Sequence, residues 1–417
     1  MASRVTLSKL GFPVPLNVAR ADDSIPPAEG WTAPVLPVHA RRRWLVGAMA
    51  AGAGALLATW FATRSVPWFG PLLADSLRSA IGSEAVTHLE ETAADVEDRV
   101  QHALSRGQAR SLEDATPSEL LVTLNAPKAT GELQNRPADL GAMHSLTAAA
   151  EDGKWQPARV RGTEQEVLYR TIVHPDPERV YAELFVFALD LSKVKVHPVA
   201  GSVEPKSVEP RPQLARPGVI PAADRGRLIA AFNGGFKAEH GRFGMMVDGT
   251  ELLAPRSTSC TFAANAGGEL QIKRWTALGN EASHLAWWRQ TPGCMVEAGE
   301  LHPGLRAADS RNWGATLEGK TVIRRSAVGL SADRRTLFVG ISNSTTARAL
   351  ATGMQHAGAE DVAQLDVNFS YPRFLLYRQN EENGELNAFG AVKGQLYERD
   401  EYLGRPSTRD FFYVTLN

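Results

Sequence analysis

Nineteen consecutive residues without a charge, Trp44 to Ala62, constrain this chain more than any other stretch. Such a run must leave water, in a bilayer or in a protein core. As a helix it reaches about 28 Å at 1.5 Å per residue, enough to cross a hydrocarbon layer. It is rich in Ala and Gly, so a buried helix of a soluble domain is the competing reading. Arg41, Arg42 and Arg43 stand directly before it, and only Arg64 follows closely. That asymmetry predicts an uncleaved single-pass anchor over residues 41–63, in the membrane through 44–62, with the N-terminus cytoplasmic and the remaining chain extracytoplasmic. Residues 1–40, with Pro26-Pro27 and little apolar periodicity, read as a flexible cytoplasmic tail rather than as a signal peptide.

Charge and cysteine content narrow the classes further. The 417 residues balance 45 Lys and Arg against 46 Asp and Glu, a net charge of -1. No strong field is present to hold a phosphate backbone, and no nucleic-acid partner is expected. Cys260 and Cys294 exclude a disulfide framework and a four-cysteine zinc site, but on the oxidising side of a membrane they could form one bridge. His240, with Glu239 and Lys237, lacks further ligands at fixed spacing and reads as a solvated loop. Neither a metal nor a cofactor is expected.

Beyond the anchor, Leu72, Leu73, Leu77, Ile81, Ala85, Leu89, Val96, Val100 and Leu104 recur at three- and four-residue steps. The spacing predicts an amphipathic helix, used as a homo-oligomerising stalk over 72–104 or packed on the main domain. With the Pro-divided stretch after it, residues 64–163 read as stalk and linker. From Glu164 strands dominate: 167–173, 181–189, 194–199, 227–232, 243–247, 270–275, 321–330, 336–342, 361–365, 373–377 and 411–416, with one helix over 346–356. The expectation is one α+β domain, a mixed, strand-rich sheet structure, over residues 164–417.

Two strand ends carry polar residues where chemistry could sit. The apolar run Arg227 to Phe232 stops at Asn233-Gly234-Gly235. Paired glycines there permit positive φ and close approach of a ligand to backbone N–H groups, although Asn-Gly-Gly is also an ordinary hairpin turn. The second run, Asp361 to Leu365, ends on Asp366, with Asn368 and Ser370 following. An acid at the end of an apolar strand suits a site, or a strand-end cap. Trp287-Trp288 could stack on a sugar, but core packing is the plainer use.

Taken in order, these segments resemble the phosphodiester glycosidase family, whose bacterial relatives are often labelled exopolysaccharide-biosynthesis proteins. The resemblance covers residues 164–417. It rests on Phe232 to Phe236, Gly244 with Asp248-Gly249, Pro292 and Gly299, Arg325 to Gly329, Thr346 with Leu350-Ala351, Gly358-Ala359, and Leu365-Asp366 ending at Ser370. Where the family has three glycines after the aspartate, this chain has Val367, Asn368 and Phe369. Either that loop is rebuilt around another substrate, or the pocket is filled and activity is lost.

The resemblance implies cleavage of the bond between an anomeric carbon and a phosphate oxygen. Asp366 would then stabilise charge at that carbon or activate water. Arg325 would grip the phosphate through its fork of donors, unless it serves a strand neighbour as a salt bridge. Asn233 completes the catalytic group. Gly234, Gly235, Asp248, Thr346, Asn368 and Ser370 would line the substrate, Asp248 having a turn with Gly249 as its alternative. The chain is thus expected to be an inner-membrane hydrolase with a periplasmic catalytic domain, acting on sugar-1-phosphodiesters of the envelope or of exopolysaccharide. A catalytically inactive carbohydrate-binding domain on the same scaffold is the second expectation.

Overall fold

A computed structural model describes residues 54–417, apart from 56–57, 67–68, 106, 108, 121–135, 208–214, 308, 315–320 and 381–382. Residues 1–58 and 59–417 form two separate units, and all three sheets belong to the second. Among the described residues no helix is long and apolar enough to cross a membrane. Most of the expected 44–62 span lies outside the described residues.

Strand-rich segments bury best by pairing, and every pairing here is antiparallel. One sheet has eight strands in the spatial order Gln156–Pro157, Leu168–Val173, Leu184–Asp190, Thr336–Thr345, Ile323–Leu330, Asp361–Val367, Val296–Glu297 and Glu300–Leu301. A second runs Thr250–Leu253, Met245–Val247, Leu285–Thr291, Cys260–Asn265, Leu270–Arg274. The third runs Leu386–Gly390, Phe374–Gln379, Leu228–Asn233, Phe411–Leu416, Val194–Val199.

The large sheet is covered on both faces, so its central strands read as unbroken apolar runs rather than alternating ones. One face, with Phe187, Val339 and Ile341, meets Phe232, Phe374 and Phe412 of the third sheet and Phe262 of the second. Phe187 and Phe374 stack with ring centres 4.0 Å apart. The other face receives the helix Ala347–His356 through Leu350 and Met354. Trp287 and Trp288 pack against Phe262, Phe412 and Trp275, a core use. Cys260 and Cys294 are joined in a disulfide.

The strands Thr250–Leu253, Cys260–Asn265, Leu285–Thr291 and Leu386–Gly390 were not expected, and two readings before residue 164 change. The single helix over 72–104 is two: α1, Phe69–Ile81, and α2, Ser83–Leu104, broken where Gly82 takes a φ of 86° that side chains avoid. The stretch before 164 is also not merely linker. Leu112, Ala115, Leu120, Trp155 and Ala158 are buried in the same cores as the sheets, so short apolar pieces between prolines complete the domain.

Candidate functional site

The site is built where the third sheet meets the large one. The strand Leu228–Asn233 is wholly buried, so Asn233 arrives with its amide out of water and must be bonded internally. Its Oδ1 accepts from the Arg373 N–H at 3.1 Å, and its Nδ2 donates to Gly234 O at 3.1 Å and to Ser326 Oγ at 2.9 Å. Ser326 Oγ in turn donates to Asp366 O at 3.2 Å, and the Asp366 N–H donates to Gly234 O at 3.1 Å. Four chain segments from two sheets are thereby stitched together.

Asp366 keeps 2% of its surface. Its Oδ2 accepts from Arg409 Nη2 at 2.6 Å and from Asn368 Nδ2 at 2.9 Å, while Oδ1 accepts no hydrogen bond among the described residues. Arg409 also donates to Gly235 O at 3.0 Å and lies over the Tyr371 ring, 4.4 Å from its centre. Burial alone would weaken that guanidinium's hold on its proton, but Asp366, Tyr371 and Asp410 outweigh it and raise the pKa. Asn368 Oδ1 accepts from the N–H groups of Ser370 and Tyr371 at 2.9 and 2.6 Å and from Ser370 Oγ at 3.3 Å. That local turn fixes the loop after Asp366.

Gly234 and Gly235 were expected to offer their amides to a ligand. Instead they serve Asp410: the Gly234 N–H donates to Asp410 O and the Gly235 N–H to Asp410 Oδ2, both at 2.9 Å. A Cβ at Gly234 would meet Asp410, and one at Gly235 would stand 2.8 Å from Arg289 Cζ. Neither glycine has positive φ, so both are required for close approach of the protein's own groups. Asp410 is paired with Arg289 (Nε to Oδ2 2.8 Å), both fully enclosed, and Tyr371 donates its hydroxyl to Asp410 O.

Arg325 stands apart from this cluster. Its guanidinium is fully buried and donates to four carbonyl groups: Thr345 O, Trp313 O, Thr321 O and Gln364 Oε1, at 3.0–3.2 Å. No carboxylate faces it among the described residues, and burial pushes its pKa down to about 10. A group so enclosed cannot grip a phosphate without opening the core; the cation beside Asp366 is Arg409. Asp248 and Gly249, with φ of 50° and 69°, form the two-residue turn between Met245–Val247 and Thr250–Leu253, and Asp248 is exposed there. Thr346 caps the helix Ala347–His356, its hydroxyl accepting from the Ala349 N–H at 3.1 Å.

Phe369, in the loop after Asp366, turns to the N-terminal helices. Its ring faces the guanidinium groups of Arg64 at 3.6 Å and Arg324 at 4.8 Å, and Arg64 is paired with Glu97 of α2 at 2.7 Å. Lys237 Nζ, just past the glycine pair, binds Asp75 of α1 at 2.9 Å, and Asp98 of α2 holds Arg179 and Tyr181. His240, its side chain 40% exposed, lies close enough to feel this site: partial loss of water lowers its pKa, while Asp366 and Glu239 oppose the shift. Among the described residues no three His, Cys, Asp or Glu side chains gather so as to hold a metal ion.

Sequence reading passed over Ser326, Tyr371, Asp410 and Arg409. The available signal was Arg409-Asp410, a charged pair at the foot of an otherwise apolar last strand.

No family model matches the chain, and no curated protein is detectably similar to it in sequence. Solved structures show a distant likeness. The catalytic domain of zebrafish N-acetylglucosamine-1-phosphodiester alpha-N-acetylglucosaminidase, auto-inhibited by its pro-peptide, is 15% identical with a TM-score of 0.39, over 73% of this chain and 95% of that one. A hypothetical protein from Synechocystis is 9% identical with a TM-score of 0.37, over 62% of this chain and 64% of that one. A putative exported protein from Burkholderia pseudomallei is 11% identical with a TM-score of 0.30, over 56% and 74%.

Proposed function

We propose that the sheet domain is a hydrolase of sugar-1-phosphodiester linkages, with Asp366 as its reacting carboxylate. One observation carries the reading: Arg409 and Asn368 fix one oxygen of Asp366, and the other accepts no hydrogen bond among the described residues. A carboxylate held in this way is oriented for a water or for an anomeric carbon. Water adds its oxygen to the anomeric carbon, the bond from that carbon to the phosphate oxygen breaks, and the phosphate monoester leaves with the electron pair. The proton released by water passes to Asp366. Phosphate is a good leaving group, so the step does not require a second carboxylate as acid. Arg409, cationic at any working pH, supplies the charge that draws a phosphate.

The setting we propose is an inner membrane, with this domain on the periplasmic side and envelope or exopolysaccharide as the source of substrate. The Arg41–Arg43 asymmetry and the Cys260–Cys294 bond support it. A reporter fused after residue 70 that is active in the cytoplasm contradicts it. A second reading, a catalytically inactive carbohydrate-binding domain, is favoured by the small exposed fraction of Asp366.

The discriminating experiment offers the full chain a chromogenic sugar-1-phosphodiester and the matching simple glycoside. The hydrolase reading predicts release from the phosphodiester in preference to the glycoside. Saturable binding without release supports the second reading, and neither binding nor release overturns both.

A further inference from the structure

Helix α2 is buried in part and exposed in part. Val86 and Ala94 are buried, and Glu97 and Asp98 make ion pairs with Arg64 and Arg179. Leu89, Ala93, Val96, Val100, Ala103 and Leu104 form an exposed stripe, with Leu89, Val96, Val100 and Leu104 at 54, 56, 50 and 71% exposure. Among the described residues ten large apolar side chains stand exposed, and eight of them lie between Trp60 and Leu104. Apolar surface so concentrated marks an interaction site.

Residues 89, 93, 96, 100 and 103 advance by four, three, four and three, the 3.5-residue period of a coiled-coil seam. A seam of that period is complementary to another of the same kind. We propose that α2 pairs in parallel with α2 of a second copy of this chain.

Charge selects the direction. In the parallel arrangement Ala85, Thr92 and Arg99 of one copy flank Glu90, Glu97 and Leu104 of the other, and no like charges meet. Either antiparallel register brings them together: Glu90 against Glu97 in one, Glu97 against Glu97 and Arg99 against Arg99 in the other. The uncharged 44–62 stretch begins about 40 residues upstream of the seam; two copies tethered by it in one membrane would present their α2 helices with the same polarity and at raised local concentration. The pairing stands independently of the catalytic reading.

The test is disulfide cross-linking of the full chain in its native membrane. Both natural cysteines are already bonded to each other, so an introduced thiol is the one free thiol of the described residues. Leu89→Cys and Val96→Cys occupy exposed positions of the seam, and Glu84→Cys, exposed on the far flank, is the control. Parallel pairing predicts that both seam variants, and not the control, run at twice the chain mass under mild oxidation. Cross-linking through Val96→Cys without Leu89→Cys overturns the parallel arrangement. No cross-link from either overturns the second copy as occupant and leaves the chain's own N-terminal residues or another protein to cover the face.

Discussion

Arg325 and Arg409 are both guanidinium groups withdrawn from water, yet their partners give them different work. Arg325 meets only carbonyl oxygens and ties Trp313 and Thr321 to the large sheet, whereas Arg409 meets the carboxylate of Asp366. Replacing Arg325 by Met takes a donor from four buried acceptors, of which Trp313 O keeps Gln364 Nε2, and is expected to cost about 2–4 kcal/mol, read as a lower denaturant midpoint. The rate per folded molecule should stay within about threefold of the natural chain; a selective loss of rate would return Arg325 to the phosphate. His240 supplies the pH dependence. Its folded-state pKa is depressed, so as pH falls through the ordinary histidine value of about 6.5 the unfolded chain takes up the proton first and stability declines. His240→Gln should flatten that slope, as measured by thermal unfolding from pH 7.5 to 5. An unchanged slope would assign it to His197 and His302, whose pKa values burial also lowers. At this scale Asp366, Asn233 and Asn368 were legible because they punctuate apolar strands. Arg325 was misjudged because residue type alone does not distinguish a guanidinium facing carbonyl groups from one facing an acid.

At the scale of elements, the turn after Leu228–Asn233 shows what the paired glycines are for. Gly234→Ala should destabilise by about 3 kcal/mol or more, because the added methyl meets the backbone and carboxylate of Asp410. Gly249→Ala, at a turn with positive φ and open space, should cost only about 1 kcal/mol. Equal costs, measured by thermal unfolding, would remove close packing as the reason for Gly234. Strands with a clear apolar face, such as Val194–Val199 and Phe411–Leu416, were readable to the residue. Leu285–Thr291 was not, since its Arg289, Gln290 and Thr291 look like surface residues but are fully buried, each held by hydrogen bonds that only the folded chain provides. Pairing order was also illegible: Leu228–Asn233 lies between Phe374–Gln379 and Phe411–Leu416, strands about 140 and 180 residues away.

At the scale of the molecule, three sheets and two N-terminal helices meet near one carboxylate. The Asp75–Lys237 and Arg64–Phe369 contacts tie the helices to the same two loops that flank Asp366, so segments the sequence left as a stalk or as a helix packed on the domain are part of its surroundings. The claim that rests on this convergence is that Asp366 reacts and Arg409 attends it. It is tested by the kcat/KM of the full chain and of its Asp366→Asn variant on a chromogenic sugar-1-phosphodiester, each corrected for the folded fraction. A fall of about 10²–10⁴-fold is predicted. Equal values for the two proteins would contradict it.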